Sequence, residues 1–211
     1  MLLRVRGVIS SSKWCKNMKK IALWLYLCFS GLLFAEPMPP TASSATETMT
    51  DNSELFSIDG YRLFHYRSPT PEQHEQATTL STAQLVSLLK TSPKPALLDV
   101  QPLLWRAGFF IQTSPRQHIP GSLWTPNVGQ GELNDVWSNY FADGLQKITQ
   151  GNKAYPLVIY CTADCWMSWN AVKRAGEWGY TQLYWYRDGS DGWQEADLPT
   201  TIGQPESLPA K

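Results

Sequence analysis

From about Thr78 onward, short apolar runs alternate with segments of helical spacing. Ser81-Thr82-Ala83-Gln84 has the form of a capping box, and Leu85, Leu88 and Leu89 supply the apolar stripe of the helix it opens. Ala96-Leu97-Leu98-Asp99-Val100 predicts a short apolar strand, and residues 101–117 read as a long loop or partial helix. His118-Ile119-Pro120-Gly121 predicts a turn into a short strand near Leu123-Trp124. Residues 134–149 read as a helix with Val136, Tyr140, Leu145 and Ile148 inward. Leu157-Val158-Ile159-Tyr160 predicts a strand that runs directly into Cys161. Ser168 to Trp178 reads as a helix with Val172, Ala175 and Trp178 on one face, stopped by Gly179. Leu183-Tyr184-Trp185-Tyr186 is the next strand, and Gly189–Trp193 is a turn into a short helical piece ending near Leu198-Pro199. Strand and helix in alternation predict an α/β fold over residues 78–200, a central parallel sheet with helices on both faces. Residues 54–77, with Phe56, Tyr61, Phe64 and Tyr66, read as an ordered N-terminal arm packed on that domain. Residues 201–211 form a C-terminal tail.

Upstream the pattern changes. Ile21 to Ala35 is an uncharged apolar run of fifteen residues, preceded by Lys19-Lys20 and followed by Glu36-Pro37. A basic flank, a short apolar stretch and a small residue at its end predict a secretory signal peptide over residues 1–35, with cleavage after Ala35. A membrane-spanning helix needs about 20 apolar residues, so no stable membrane anchor is expected. Met18-Lys19-Lys20 makes a more natural start than Met1. Residues 36–53, rich in Pro, Ser, Thr and Ala, read as a disordered tether.

Composition gains meaning only after that division. The whole chain has 211 residues and balances 18 basic against 18 acidic side chains, which gives no reason to expect nucleic-acid binding. The first 35 residues hold six of the basic side chains and none of the acidic ones, so the exported remainder has 12 against 18, a net charge of −6. Two of the four cysteines, Cys15 and Cys28, leave with the same segment; Cys161 and Cys165 remain. An exported chain meets an oxidising compartment, the periplasm, where a disulfide is permitted.

Cys161 stands where chemistry is expected in such sheets, beyond the carboxyl end of a buried strand. Cys161-Thr162-Ala163-Asp164-Cys165-Trp166 then leads into a helix. Backbone N–H groups of a tight loop and a helix N-terminus make a cradle of positive partial charge, which would lower the pKa of a thiol held there. The competing reading is a buried apolar cysteine that ends a strand. Cys165, four residues on, resolves a persulfide or sulfenic acid on Cys161 if the loop curls, and is too far away if it splays. A permanent Cys161–Cys165 disulfide is the structural alternative. Two cysteines do not close a tetrahedral metal shell, and His65, His74 and His118 are distant in sequence, so no metal site is expected.

These pieces, in their order and spacing, resemble a single rhodanese-like domain. The matching segments are Leu97–Val100, His118–Ser122, Leu157–Cys161, Trp169–Ala175 and Gly189–Trp193. Gly60-Tyr61-Arg62, Pro126-Asn127-Val128-Gly129 and Cys165–Ala171 further resemble the CXXCW-motif rhodanese-like proteins associated with catabolism that depends on pyrroloquinoline quinone (PQQ). The resemblance implies sulfur-carrier or sulfurtransferase-type chemistry. Cys161 matches the nucleophile, and a sulfane-sulfur donor and a thiol acceptor are its partners. It implies structural roles for Asp99, in the LIDVR-like motif, and for His118. It also implies an accessory place beside a periplasmic quinoprotein dehydrogenase, as a catalyst or as a binding module stapled by the disulfide. No cofactor is expected, and the quinone itself is not expected to touch the chain.

Two departures bear on the substrate. The loop has Asp164 and no cation, and Trp166 stands where an Arg is common, so efficient transfer from an anionic donor such as thiosulfate is not expected. Arg106 and Arg116 are candidates for supplying charge from the neighbouring loop. Trp166 and Trp169 flank the cysteine loop, either as core or as the wall of an apolar pocket or docking patch; Trp178 and Trp193 read as core.

Overall fold

The computed structural model describes residues 52–208. The expected export segment, nearly all of the tether and the last three tail residues lie outside that range. A 3-10 turn, Asn52–Leu55, opens the arm. The elements that follow are β1 (Thr78–Leu80), α1 (Thr82–Leu88), β2 (Ala96–Asp99), β3 (Leu104–Arg106), β4 (Phe109–Ile111), β5 (Arg116–His118), β6 (Leu123–Trp124), α2 (Asp135–Thr149), β7 (Leu157–Tyr160), α3 (Trp166–Glu177), β8 (Leu183–Tyr186), α4 (Gly189–Glu195) and β9 (Thr201–Gly203).

The central sheet is parallel throughout, in the order β1-β8-β7-β2-β6. Its inner strands are buried on both faces, so their side chains divide by the two-residue period rather than into apolar and polar sides. Leu98, Leu157, Ile159, Leu183 and Trp185 face α2 and α3, where they meet Phe141, Leu145, Ala171, Val172 and Ala175. Leu80, Leu97, Val158, Tyr160 and Tyr186 face the other way, onto Leu85 of α1 and Trp193 of α4. Helices therefore cover both faces, as the alternation of elements predicts. The capping box that opens α1 is complete: the Gln84 N–H donates to Ser81 Oγ, and the Ser81 N–H donates to Gln84 Oε1.

Residues 101–117 are neither a simple loop nor a partial helix. They fold into the β3–β4 hairpin, with Trp105 opposite Phe110 and positive φ at both Ala107 and Gly108 of the turn. Two consecutive left-handed residues suit the tight turns that fit strand twist. One face of the hairpin, Trp105 and Phe110, stacks on Trp137 of α2, while Leu104 and Phe109 stay exposed. The tail also takes part in the fold: β9 pairs antiparallel with β5, and Tyr140 donates to the Glu206 carbonyl.

The arm crosses α3 and is held by polar contacts to its buried face. Asn170, fully buried, accepts from the Arg62 N–H and donates to the carbonyls of Arg62 and Gly129. Gly129 is required by close approach: a Cβ there would lie 2.0 Å from the Met167 carbonyl oxygen. Arg174 donates to the carbonyls of Val128, Gln130 and Gly131, and its guanidinium lies over the Tyr61 ring. The three segments Gly60–Arg62, Pro126–Gly129 and Cys165–Ala171 thus converge on one hydrogen-bonded cluster.

His74 locks the far end of the arm. Its Nε2 bonds the Trp169 carbonyl and its Nδ1 accepts from the Gln76 N–H, which assigns the neutral Nε2–H tautomer. Burial pushes its pKa below the ordinary 6.5. The unfolded chain therefore binds the proton first. Stability contributed by neutral His74 is complete above the unfolded pKa and falls as pH drops below it, levelling off at the lower folded value. Urea midpoints measured across that window should fall less steeply for His74→Gln than for the native chain. Parallel slopes would exclude His74 as the source.

Candidate active site

Cys161 continues the alternation of β7 onto the face covered by α3, and Cys165 is the N-cap residue of that helix. The loop between them curls. Asp164 takes φ +49°, a left-handed value that aspartate tolerates, and the two Cα atoms come within 6.2 Å. A disulfide joins Cys161 to Cys165, so the loop takes the curled form. Both cysteines are buried, Cys161 completely and Cys165 to 5% exposure.

The loop is flanked from two sides, by the start of α4 and by the arm. From the α4 side, Ser190 donates its N–H to the Cys161 carbonyl. Gly189 allows this approach, since a Cβ there would lie 2.5 Å from the same oxygen. From the arm, Arg67 pairs as an isolated antiparallel bridge with Cys165. The Trp166 N–H donates to the Tyr66 carbonyl and the Ser68 N–H to the Asp164 carbonyl. Trp166 is buried beneath the arm, stacked on Phe56 and Trp169, with the Arg62 guanidinium over its ring. The docking patch that Trp166 offers is filled by the chain's own arm. Trp193 is core, and Trp178 is half-buried against Phe141.

This packing changes the expected anion cradle. The Ala163 N–H is directed to Asp191 Oδ2, and the Trp166 N–H to the arm. Two loop donors are therefore committed elsewhere while the disulfide is closed.

Three nearby cations have carboxylate partners, whereas Arg62 donates to the Phe64 carbonyl. Arg116 holds Asp99 through two guanidinium bonds, Nε to Oδ2 at 2.9 Å and Nη2 to Oδ1 at 3.1 Å, and reaches Ser190 Oγ at 2.9 Å. Asp99 is fully buried beneath the loop and also accepts from the Gln101 N–H. His118 Nδ1 lies 3.6 Å from Asp99 Oδ2 without a hydrogen-bond partner. Arg67 bonds Thr162 Oγ1 and pairs with Asp191 at 3.0 Å. Arg187 lies 3.8 Å from Asp164. Arg106 is exposed on the hairpin and takes no part in these contacts.

Of the residues singled out from sequence, Cys161, Thr162, Ala163, Asp164, Cys165 and Trp166 form one compact loop. Asp99 and His118 lie together beneath the strand ends. Sequence reasoning misses Arg67, Arg187, Ser190 and Gln101. Gln101 places Oε1 3.2 Å from Cys161 Sγ. It follows Leu97–Val100 directly, at the position of the Arg in the LIDVR-like motif, and that register could have found it. Among the described residues, no group of three or more His, Cys, Asp or Glu could hold a metal ion, and no helix is long and apolar enough to cross a membrane.

The family model described as "Rhodanese-like domain" matches residues 81–196, more than half of the chain. The chain belongs to the rhodanese-like domain family. Its match begins at the α1 cap and ends at the close of α4, so the arm and β9 lie outside it. Among solved structures the domain is similar to a thiosulfate sulfurtransferase from Pseudomonas aeruginosa, at 15% identity and a TM-score of 0.45 over 64% of this chain and 22% of that one. It is also similar to the 30 kDa polysulfide-sulfur transferase homodimer from Wolinella succinogenes, at 18% identity and a TM-score of 0.41 over 60% of this chain and 79% of that one. A rhodanese-like domain from Anabaena sp. aligns at 17% identity and a TM-score of 0.38, over 61% of this chain and 80% of that one. The chain thus spans about a fifth of the Pseudomonas protein. No curated protein matches it.

Proposed function

We propose that this rhodanese-like domain carries sulfane sulfur on Cys161 and releases it reductively through Cys165. The observation that carries this reading is the Cys161–Cys165 disulfide, formed at the strand end where the family holds its sulfur-carrying cysteine. In the reduced protein, the Cys161 thiolate attacks the terminal sulfur of a persulfide R–S–SH. It becomes Cys161–S–SH and expels RS⁻. The Cys165 thiolate then attacks Cys161 Sγ, forming the disulfide and expelling HS⁻. The sulfane sulfur gains two electrons and the two cysteines lose two; a dithiol reductant returns the protein to its starting state. When that reductant attacks Cys161, Cys165 leaves at the N-terminus of a three-turn helix, where negative charge is favoured.

The setting we propose is the periplasm, after export through residues 1–35, beside a quinoprotein dehydrogenase. Support for that setting is the resemblance to the CXXCW-motif proteins. The segments that carry it meet at Asn170 and Arg174. Three residues separate the two cysteines here, one more than the motif's name prescribes.

A second reading has its own observation. Both cysteines are buried and the arm is zipped onto their loop, as suits a permanent staple in a binding module. Stoichiometry separates the two. Reduced protein mixed with 2-hydroxyethyl persulfide, generated in situ, should release one sulfide for every two thiols lost. Thiols that survive the donor without sulfide release would favour the staple.

A further inference from the structure

A polar cavity of about 350 Å³ opens beside the cysteine loop, at the carboxyl ends of β2 and at β5. That volume lies at the small end of ligand pockets. Its lining includes Gln101, Gln117, Gln194, Thr113, Ser114 and Arg116. The arginine's charge is matched by Asp99, so amides and hydroxyls set the cavity's character. Cys161 is not part of the wall; Gln101 is, and the same side chain touches Cys161 Sγ. Gln101 therefore stands between the cavity and the sulfur. Its own backbone is fixed on both sides: its N–H donates to Asp99 and its carbonyl accepts from Trp124 Nε1. The side chain is left as the movable part.

Resting on the sulfur-carrier reading above, we propose that this cavity is the entry for a small thiol or persulfide, and that Gln101 is its specificity-determining gate. The amide carries no charge to pair with a second negative group and Arg116 is already matched, so a neutral molecule passes while an anionic tail finds nothing to offset its loss of water. The incoming thiolate RS⁻ attacks Cys161 Sγ. The bond to Cys165 breaks, a mixed disulfide forms at Cys161, and Cys165 leaves as the thiolate. On the loop's other side Tyr66, Arg67 and Ser68 of the arm pack against Asp164, Cys165 and Trp166.

Two thiols of equal reach test this: 2-mercaptoethanol, which is neutral, and 2-mercaptoethanesulfonate, which carries a distal anion. Their rates of opening the disulfide are compared at equal thiolate concentration, with released Cys165 trapped by iodoacetamide. The mixed disulfide is then located by peptide mass spectrometry. In the native protein the adduct should lie on Cys161 and the neutral thiol should react faster. Gln101→Arg should raise the sulfonate-to-neutral ratio about tenfold, and Gln101→Glu should lower it by about the same factor, as expected for one unit charge a few ångströms away in a partly solvated site. Opposite shifts from one position do not arise from misfolding. An adduct on Cys165 in the native protein, or a ratio unchanged in both variants, would overturn the gate. Because these rates read disulfide opening alone, that result would leave sulfide release standing, and absence of sulfide release would leave these rates intact.

Discussion

Asp99→Ala is expected to lose about 3–5 kcal/mol of unfolding free energy, the range for removing one partner of a buried ion pair. The carboxylate is wholly buried and the Arg116 side chain is 11% exposed, so truncation leaves a mostly buried guanidinium without its matching charge. The Gln101 N–H loses its acceptor as well. The cost should lie mostly in that stranded charge, so Asp99→Leu combined with Arg116→Met should be markedly more stable than Asp99→Ala alone. Urea denaturation checks both, with the midpoint moving and the slope unchanged. An Asp99→Ala unfolding free energy within about 1 kcal/mol of the native chain's would show that Arg116 finds other solvation. The family resemblance implies a structural role for Asp99, and its contacts are of the kind such a role needs. Asp99 fixes Arg116, which braces Ser190 and lies 3.4 Å from the Cys161 carbonyl.

What the sequence makes legible here follows from range. Leu97 and Leu98, or Ile159 and Tyr160, announce buried strands because successive positions are apolar, and Cys161 inherits its place from the strand before it. The hairpin is harder to read. Leu104, Trp105, Phe109 and Phe110 are all apolar, yet Leu104 and Phe109 face outward, so the two-residue alternation is hidden. The Ala107-Gly108 turn was its one local sign. Of the site's electrostatics, only Arg116 is legible as a candidate cation, and it does reach the loop while Arg106 does not. Arg67 meets Thr162 across 95 positions, and Asp191 across 124. Asp164 appears in sequence as an uncompensated charge in the loop, whereas Arg187 and the Thr70 N–H attend it in the fold. Arg67, Arg116 and Arg187 each carry a carboxylate partner, so none of the three is left to an anionic donor alone.

The largest expected effect on chemistry is at Cys165. Cys165→Ser removes the attacking thiol of the second step and leaves the first untouched. Sulfide release should fall to background while Cys161 still accepts sulfur. The substitution is nearly isosteric, and a hydroxyl at the α3 N-cap favours the helix, so the fold should tolerate it once reduced. The direct measurement is intact mass spectrometry of reduced Cys165→Ser after brief exposure to 2-hydroxyethyl persulfide, beside the native chain and Cys161→Ser. Cys165→Ser should gain the mass of one sulfur, Cys161→Ser should gain none, and the native chain should end two hydrogens lighter with its sulfide released. Cys165→Ser with no added sulfur, or sulfur acquired equally by Cys161→Ser, would contradict Cys161 as the sulfur carrier.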